Sequence, residues 1–219
     1  MTNLSFGMEH TAEDVTQGLD LSGRRFVVTG CNSGLGYETC RVLALRGATI
    51  VGLARSIDRA QQALDELSID GTAVACDLGN LHSVAAAVDS IRKLGPVHGL
   101  IANAGVMALP ELRQIEGYEL QFFTNHIGHF SLVTGLIDSL AADGRVVMLS
   151  SGAHTMAPEA GIEFDNLSGE RGYDAWKAYG QSKLANLMFA GSLAKRFEGS
   201  SRTANSVHPG VIDTNLGRH

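Results

Sequence analysis

Short apolar runs rich in β-branched residues alternate along the chain with longer segments in which apolar residues recur at helical spacing. This alternation is typical of repeated βα units around a parallel sheet. Each run is brief and almost wholly apolar, which favours strands covered by helices on both faces. The pattern predicts six strands, at Arg25–Thr29, Ala48–Leu53, Thr72–Cys76, Val97–Ala102, Arg145–Ser150 and Thr203–Val207. It predicts helices at Gly34–Arg46, Ile57–Leu67, Leu81–Leu94, Gly117–Leu140 and Ala175–Phe197.

The chain length favours one domain. With 219 residues, of which 44% are hydrophobic, the chain can bury one substantial core but is too short to favour two. Residues 1–22 read as a polar extension with one short helix, where Thr11 and Asp14 have the offset of a capping arrangement. We therefore predict a single α/β domain over residues 23–219, a doubly wound parallel sheet with helices on both faces.

Composition excludes several classes of partner. The net charge is −6 and the pI about 5.7, and no Lys and Arg cluster is present to bind nucleic acid. The N-terminus lacks the pattern of a secretory signal, and no apolar run approaches the roughly 18 residues of a membrane span. Cys31, Cys40 and Cys76 have no metal-type spacing. We expect them to be buried thiols in a reducing compartment, and the protein to be cytoplasmic.

A glycine-rich turn follows the first predicted strand and opens into a helix. Such a turn lets a pyrophosphate approach backbone N–H groups at a helix N-terminus. The alternative is an ordinary turn, but the position after the first strand favours a Rossmann dinucleotide site. The candidate residues are Gly30, Asn32, Ser33, Gly34, Leu35 and Gly36.

The end of the second strand bears on the choice of cofactor. Dinucleotide-binding folds often place an acidic residue about 20 positions onward to bind the ribose 2′-hydroxyl, whereas an Arg accommodates a 2′-phosphate. This chain has Arg55 and Ser56 there and no carboxylate. The sequence favours NADP, with NAD as the alternative if Arg55 is an ordinary solvated side chain.

Tyr179 and Lys183 are four residues apart on a predicted helix and so share a face. An ammonium about 4 Å from a phenol would favour the phenolate by about 4 kcal/mol, or about 3 pK units, at an effective dielectric near 20. We expect Lys183 to lower the pKa of Tyr179 in this way, so that Tyr179 can exchange a proton with a carbonyl or alcohol. Tyr173 and Lys177 repeat the spacing. Tyr173, however, precedes Asp174, a plausible helix cap, which favours Tyr179.

Two further polar positions fall near the same crevice. Ser150 and Ser151 end the fifth strand, and a hydroxyl there could hydrogen-bond a developing oxyanion. The alternative is that they only cap the strand exit. Asn125 lies inside a long predicted helix, an unfavourable place for Asn unless its side chain has a role or faces water.

Together these residues resemble the short-chain dehydrogenase/reductase family, in particular its retinol-dehydrogenase-like branch, which includes WW-domain oxidoreductases. The resemblance extends from about Thr11 to Asn215. Its motifs are Thr29–Gly36, Cys76-Asp77-Leu78, Ala102-Asn103-Ala104-Gly105, Asn125-His126-Ile127-Gly128-His129-Phe130, Ser150-Ser151, the run from Tyr179 to Asn186, and His208-Pro209-Gly210.

The resemblance implies a role for each matched residue. Tyr179 would be the acid/base, Lys183 its partner and a ribose ligand, Ser151 the donor to the substrate oxygen, and Asn125 the holder of a relay water. Asp77 and Leu78 would contact adenine, and Asn103, Ala104 and Gly105 would line the cofactor. The nicotinamide carboxamide and diphosphate would be held by Pro209, Gly210, Ile212 and Thr214. His126 and His129 lie inside the match and have no third ligand, so we expect no metal.

The resemblance also implies a substrate pocket with one wall formed by Gly152–Trp176. Family members continue with a substrate-covering stretch and a seventh strand, whereas this chain stops at Gly217-Arg218-His219. We therefore expect the natural protein to be longer.

The leading hypothesis is an NADP-dependent oxidoreductase acting on a lipophilic carbonyl or secondary alcohol. By analogy we expect a homodimer or homotetramer. One alternative is a catalytically silent nucleotide-binding sensor or scaffold with the same fold. Another, a nucleotide-sugar epimerase or dehydratase, would need a larger C-terminal domain than the chain has room for.

Overall fold

The computed structural model of the protein describes residues 6–7, 9–210 and 212. Its strands are β1 (Arg25–Thr29), β2 (Thr49–Ala54), β3 (Thr72–Ala75), β4 (Val97–Ala102), β5 (Gln114–Ile115), β6 (Tyr118–Glu119), β7 (Leu140–Leu149) and β8 (Thr203–Val207). Six of them form one parallel sheet in the order β3-β2-β1-β4-β7-β8, and β5 and β6 form a separate antiparallel hairpin. The predicted six-stranded Rossmann sheet is confirmed.

Helices cover both faces of this sheet. They are α1 (Ala12–Val15), α2 (Gly34–Leu45), α3 (Ile57–Glu66), α4 (Leu81–Arg92), α5 (Leu120–Phe122), α6 (Gly128–Leu136) and α7 (Ala175–Arg196). A π-helical turn at Phe123–Ile127 joins α5 to α6, and 3₁₀ turns lie at Ile137–Ser139 and Gly152–Met156. Residues of α2 and α3 pack into one buried cluster, and residues of α4, α6 and α7 into the other.

The strands are apolar because both faces of the sheet are buried. Val27 and Val28 are neighbours on β1, so their side chains point to opposite faces. Both are fully buried, Val27 in the cluster with α4, α6 and α7 and Val28 in the cluster with α2 and α3. A one-sided sheet would have required one of the two to be polar.

The order of the strands reverses next to β1. The chain builds β2 and β3 on one side of β1 and then returns to place β4 on the other. In open α/β sheets the crevice at such a switch point, beyond the carboxyl ends of the strands, is where ligands bind. Residues that follow β1 and β4 therefore face a common cleft.

Some predicted boundaries are wrong. The helix predicted over Gly117–Leu140 begins only at Leu120, because Gly117 has φ +80° and forms the turn between β5 and β6. Its other end is also wrong, since Leu140 already belongs to β7 and pairs with Val97. The pattern missed the hairpin, whose strands have two residues each. The start of the strand predicted at Arg145–Ser150 is wrong as well, because β7 already begins at Leu140 and ends at Leu149. The remaining predicted helices and strands are observed to within two residues at each end.

The N-terminal extension is fastened to α2. The capping pair of Thr11 and Asp14 is confirmed as a reciprocal capping box at the start of α1. Arg46 donates from Nη2 to the Glu13 carbonyl at 2.7 Å and from Nε to Thr16 Oγ1 at 3.0 Å. A side chain at the end of α2 thus holds the extension in place.

Leu100 lies on the central strand β4 and is fully buried. We predict that Leu100→Ala lowers the free energy of unfolding by about 2–5 kcal/mol, because it removes buried methyl groups and leaves a cavity. Leu45→Ala is the control, since Leu45 is 53% exposed, and should change stability by about 0.5 kcal/mol or less. Urea unfolding of both variants measures the difference, and equal effects would contradict a core centred on β4.

Candidate active site

The turn between β1 and α2 uses glycine where other residues fit poorly. Gly30 has φ +69° and Gly34 has φ +54°, in the left-handed region that a Cβ disfavours. Gly36 lies in the first turn of α2, where a Cβ would overlap the carbonyl of Gly30 and the side-chain amide of Asn103. Larger residues would therefore force the turn open.

The N-terminus of α2 begins directly beyond the carboxyl end of β1. Asn32, Ser33 and Gly34 are exposed there, with Leu35 half-buried beside them. The Ser33 side chain makes no capping hydrogen bond to the described helix. The first N–H groups of a helix lack intrahelical partners and attract anions. The turn thus fits the diphosphate of a dinucleotide.

A hydrogen-bond network joins the ends of β1 and β4. Thr29 Oγ1 accepts the backbone N–H groups of Asn103 and Ala104, both at 2.9 Å, and Asn103 Nδ2 donates to the Thr29 carbonyl at 2.8 Å. Thr29 Oγ1 also lies 2.9 Å from His129 Nε2, while His129 Nδ1 lies 2.9 Å from the Asn125 carbonyl. Because a carbonyl only accepts, Nδ1 carries the ring proton and Nε2 accepts from Thr29. Burial lowers the pKa of His129 to about 4, so the ring is neutral at pH 7.

Gly105 carries the loop after β4 to a cluster of polar side chains. A Cβ at Gly105 would lie 2.8 Å from Asn125 Oδ1 and 3.7 Å from Lys183 Nζ. The cleft therefore runs from the glycine turn, along Asn103 and Ala104, to Asn125 and Lys183.

Four more predicted cofactor residues lie at the carboxyl ends of β2 and β3. Arg55 is exposed, and no other described residue forms a hydrogen bond or ion pair with its guanidinium. Ser56 Oγ caps the start of α3. Asp77 Oδ1 accepts the N–H of Gly79 at 3.0 Å, and Leu78 is buried. All four therefore lie at the same edge of the sheet as the glycine turn.

Asn125 is fully buried inside the π-helical turn, a distortion frequent at functional sites. Its Oδ1 accepts the N–H of Val106 at 2.8 Å, and its Nδ2 donates to the Val106 carbonyl at 2.9 Å and to Ser182 Oγ at 3.0 Å. Its backbone carbonyl accepts from His129 and Asn186. Protein atoms thus accept both side-chain amide hydrogens of Asn125 and donate two hydrogen bonds to its backbone carbonyl. A role for Asn125 with a relay water stays a prediction.

Tyr179, Lys183 and Ser151 come together at the end of the cleft. Lys183 Nζ lies 5.6 Å from the centroid of the Tyr179 ring and donates to the Leu149 carbonyl at 3.1 Å. The Ser151 side chain lies close enough to Tyr179 to lower the pKa of its hydroxyl. Ser150 Oγ instead donates to the Lys183 carbonyl at 2.8 Å. Of the two serines, Ser151 belongs to the site and Ser150 ties β7 to α7.

The pKa of Tyr179 differs from the expectation. Burial raises it above its ordinary value, and the hydrogen bond with Ser151 opposes this rise. Burial also lowers the pKa of Lys183 to about 8. The expected lowering by Lys183 is not seen, because the phenol is itself buried and the ammonium is bonded to the Leu149 carbonyl.

The second Tyr and Lys pair has a different environment. Tyr173 precedes α7, whose first N–H groups are capped by Asp174 as predicted. The Tyr173 hydroxyl donates to the Leu109 carbonyl at 2.6 Å, and Lys177 is exposed. The preference for Tyr179 over Tyr173 on sequence grounds therefore agrees with the geometry.

The segment after β8 approaches the turn that carries Ser151. A Cβ on Gly152 would lie 3.3 Å from His208 Nε2, and Pro209 and Gly210 follow directly. Ile212 is half exposed. Thr214, the remaining residue expected to hold the cofactor there, lies outside the described residues.

The cleft, its glycine turn and the Tyr179 cluster agree with one family. The family model described as short chain dehydrogenase matches residues 24–219. The chain belongs to the short-chain dehydrogenase family.

Curated relatives place this short-chain dehydrogenase in the retinol-dehydrogenase-like branch. It is 41% identical over 229 residues to "Short-chain dehydrogenase TIC 32 B, chloroplastic" of Brassica napus, with 98% of this chain and 72% of that protein covered. It is 39% identical over 212 residues to retinol dehydrogenase 11 of Mus musculus, with 93% and 66% covered.

Solved structures share the fold. An uncharacterized protein from Mycobacterium paratuberculosis superposes with a TM-score of 0.82 at 36% identity, covering 94% of this chain and 74% of that one. A blue fluorescent protein from a metagenomic library, in complex with NADPH, superposes with a TM-score of 0.73 at 28% identity, covering 90% and 78%.

Other features of this short-chain dehydrogenase concern its thiols, its potential metal ligands and the apolar character of its helices. All three cysteines are free and buried, as predicted. Within the described part of the chain, no group of three His, Cys, Asp or Glu side chains could hold a metal ion. No described helix is both long and apolar enough to cross a membrane.

Three side chains that support the site have no role predicted from the sequence, namely Thr29, Ser182 and Asn186. Thr29 stands directly before the glycine turn, and Ser182 and Asn186 flank Lys183 inside the motif that begins at Tyr179. Two features of the sequence could have indicated them. One is a polar residue at the end of an apolar strand, and the other is polar residues on the buried side of a helix. The hydrogen bonds of Thr29 with Ala104, and of Ser182 and Asn186 with Asn125, join residues 57 to 75 positions apart, so spacing could not reveal them.

We predict that Gly36→Ala lowers the affinity for a nicotinamide dinucleotide by tenfold or more, because the new Cβ would displace the Gly30 carbonyl and Asn103. Gly191→Ala is the matched control on α7, where nothing described lies within 4 Å. It should keep the affinity and gain about 0.5–1 kcal/mol of stability. Fluorescence titration with NADPH measures both, and unchanged affinity in Gly36→Ala would contradict binding at this turn.

Proposed function

We propose that the protein is an NADP-dependent oxidoreductase that interconverts a carbonyl and an alcohol on a lipophilic small molecule, with Tyr179 as the acid/base. The observation that carries this proposal is the meeting of Tyr179, Lys183 and Ser151 at one end of the cleft, beside Gly105.

The nicotinamide, when bound, supplies a hydride to the carbonyl carbon or takes one from the alcohol. The Ser151 side chain is close enough to Tyr179 to affect the pKa of its hydroxyl, so a substrate oxygen can contact both side chains. In reduction Tyr179 gives its proton to that oxygen, and in oxidation its phenolate takes the proton back. Ser151 donates a hydrogen bond to the oxygen as negative charge develops there.

The pKa values suit a proton donor. Burial raises the pKa of Tyr179, so the phenol holds its proton at neutral pH. Lys183, with a pKa of about 8, is mostly charged at pH 7 and favours the phenolate formed when that proton leaves. Lys183 is also close enough to Gly105 to bind the nicotinamide ribose from inside the cleft.

Support for NADP comes from Arg55, whose guanidinium no other described residue engages, and from the related structure in complex with NADPH. A guanidinium binds a 2′-phosphate by charge-assisted hydrogen bonds. Adenine contacts by Asp77 and Leu78, and nicotinamide contacts by Pro209, Gly210 and Ile212, stay predictions.

Support for a lipophilic substrate comes from the segment between Ser151 and Tyr179. Met156, Phe164 and Trp176 are large apolar side chains that are at least 45% exposed. Four of the curated relatives are named as retinol dehydrogenases. The cytoplasmic location and the homodimer or homotetramer stay predictions.

We predict that Tyr179→Phe lowers turnover of carbonyl substrates by a hundredfold or more and leaves NADPH affinity within about threefold, because it removes only the proton donor. Tyr173→Phe is the control, since it removes a hydroxyl at the repeated spacing. Oxidation of NADPH is followed with retinal and a panel of ketones. Equal rates for the parent and Tyr179→Phe would contradict the role of Tyr179, whereas NADPH binding without any turnover in the parent would favour a nucleotide-binding sensor.

We predict that Arg55→Ala lowers NADPH affinity about 10- to 100-fold and leaves NADH affinity unchanged, because hydrogen bonds to charged groups contribute about 1.5–3 kcal/mol. Arg196→Ala, at the exposed end of α7, removes the same charge away from the cleft and should have no effect. Parallel fluorescence titrations measure both cofactors. Comparable losses for NADPH and NADH would contradict a role in binding the 2′-phosphate.

A further inference from the structure

Asn186 lies on α7 one turn after Lys183 and is 1% exposed. Its Nδ2 donates to two backbone carbonyls, those of Asn125 and Leu149, each at 3.1 Å. Its Oδ1 lies 3.1 Å from Nδ1 of His126. The amide therefore connects α7 to the π-helical turn and to the end of β7.

The orientation of this amide follows from its partners. A carbonyl oxygen only accepts hydrogen bonds, so the nitrogen must face Asn125 and Leu149 and the oxygen must face His126. His126 then carries its proton on Nδ1. Burial lowers the pKa of His126, so it remains a neutral donor to Asn186 at neutral pH.

Asn186 and Lys183 share one acceptor. The Leu149 carbonyl accepts from Lys183 Nζ at 3.1 Å and from Asn186 Nδ2 at 3.1 Å. A carbonyl has two lone pairs, so these donors together use both. The position of Asn186 thus limits the directions from which Lys183 can approach the Leu149 carbonyl.

We propose that Asn186 is a positioning residue for Lys183. By hydrogen-bonding the shared Leu149 carbonyl and the Asn125 carbonyl, Asn186 directs the Lys183 ammonium toward Tyr179 and Gly105. His126 supports this role by fixing the amide. The proposal rests on the proposed function, since it concerns the lysine of the same site, but its decisive measurement needs no cofactor or substrate.

The protonation of Lys183 can be followed directly. The chain has four lysines, and Lys93, Lys177 and Lys195 are exposed, so ¹³C NMR of protein labelled at lysine Cε should identify Lys183 by its midpoint near pH 8. Its assignment is checked by loss of the signal in Lys183→Met. The titratable groups that interact with Lys183 in the described structure are Tyr179 and His129. Burial raises the pKa of Tyr179 further above its ordinary value and lowers the pKa of His129 to about 4, so neither group titrates near pH 8.

We predict that Asn186→Leu raises the Lys183 midpoint by roughly half a pH unit or more. The Leu149 carbonyl then accepts a hydrogen bond from the ammonium alone, and this undivided hydrogen bond favours the charged form of Lys183. NADPH affinity at pH 7 should fall several-fold. His126→Phe, which leaves the amide in place but removes its donor, should shift the midpoint in the same direction by less.

Gln181→Leu is the matched control. Gln181 is a buried amide on α7 whose Oε1 accepts the N–H of Glu163 at 2.8 Å. Its loss should lower stability without moving the Lys183 midpoint. If Asn186→Leu and His126→Phe lower the melting temperature but leave the midpoint unchanged, Asn186 is only structural and the proposal is overturned. If the midpoint moves but no variant or parent binds NADPH, the proposed function fails and the positioning role stands.

Discussion

The site depends on the burial of the Lys183 ammonium. Lys183 is 4% exposed, and a charge buried without hydrogen-bond acceptors costs several kcal/mol. The only acceptor that the described residues offer its Nζ is the carbonyl of Leu149, the last residue of β7. Because this single bond compensates burial incompletely, the pKa of Lys183 is lowered to about 8. The lysine thus remains charged at neutral pH but holds its proton weakly.

This requirement explains why β7 and α7 are joined so closely. Ser150 Oγ donates to the Lys183 carbonyl, while Lys183 and Asn186 donate back to the Leu149 carbonyl. Hydrogen bonds in both directions between one helical turn and one strand end fix the depth of the helix on the sheet. The Asn125 side chain adds two hydrogen bonds to the backbone of Val106, the residue directly after Gly105. The cofactor loop and the polar cluster are therefore parts of one hydrogen-bonded unit.

The sequence predicts those features that depend on local pattern. The apolar runs predict the sheet because strands buried on both faces must be apolar throughout, and the glycine turn is predictable because Gly30 and Gly34 occupy backbone conformations that other residues avoid. The start of β7 is not predictable, since Leu140 would be equally suitable as the last apolar residue of a helix. Nor is the pKa of Tyr179, because its direction depends on burial by distant segments rather than on the lysine four residues away.

The repeated spacing of Tyr and Lys shows which property matters for the chemistry. Tyr173 and Lys177 have the same sequence separation as Tyr179 and Lys183, but Lys177 is exposed to water, whose high dielectric constant weakens the effect of its charge on a nearby phenol. The Tyr173 hydroxyl also donates its hydrogen bond to the Leu109 carbonyl. Tyr179 and Lys183 are both buried next to Ser151, and in that low-dielectric environment a small displacement of the ammonium changes the energy of the phenolate strongly. In the proposed mechanism, precise positioning of Lys183 is therefore a condition of proton transfer, whereas the four-residue spacing only allows the two side chains to share a helix face.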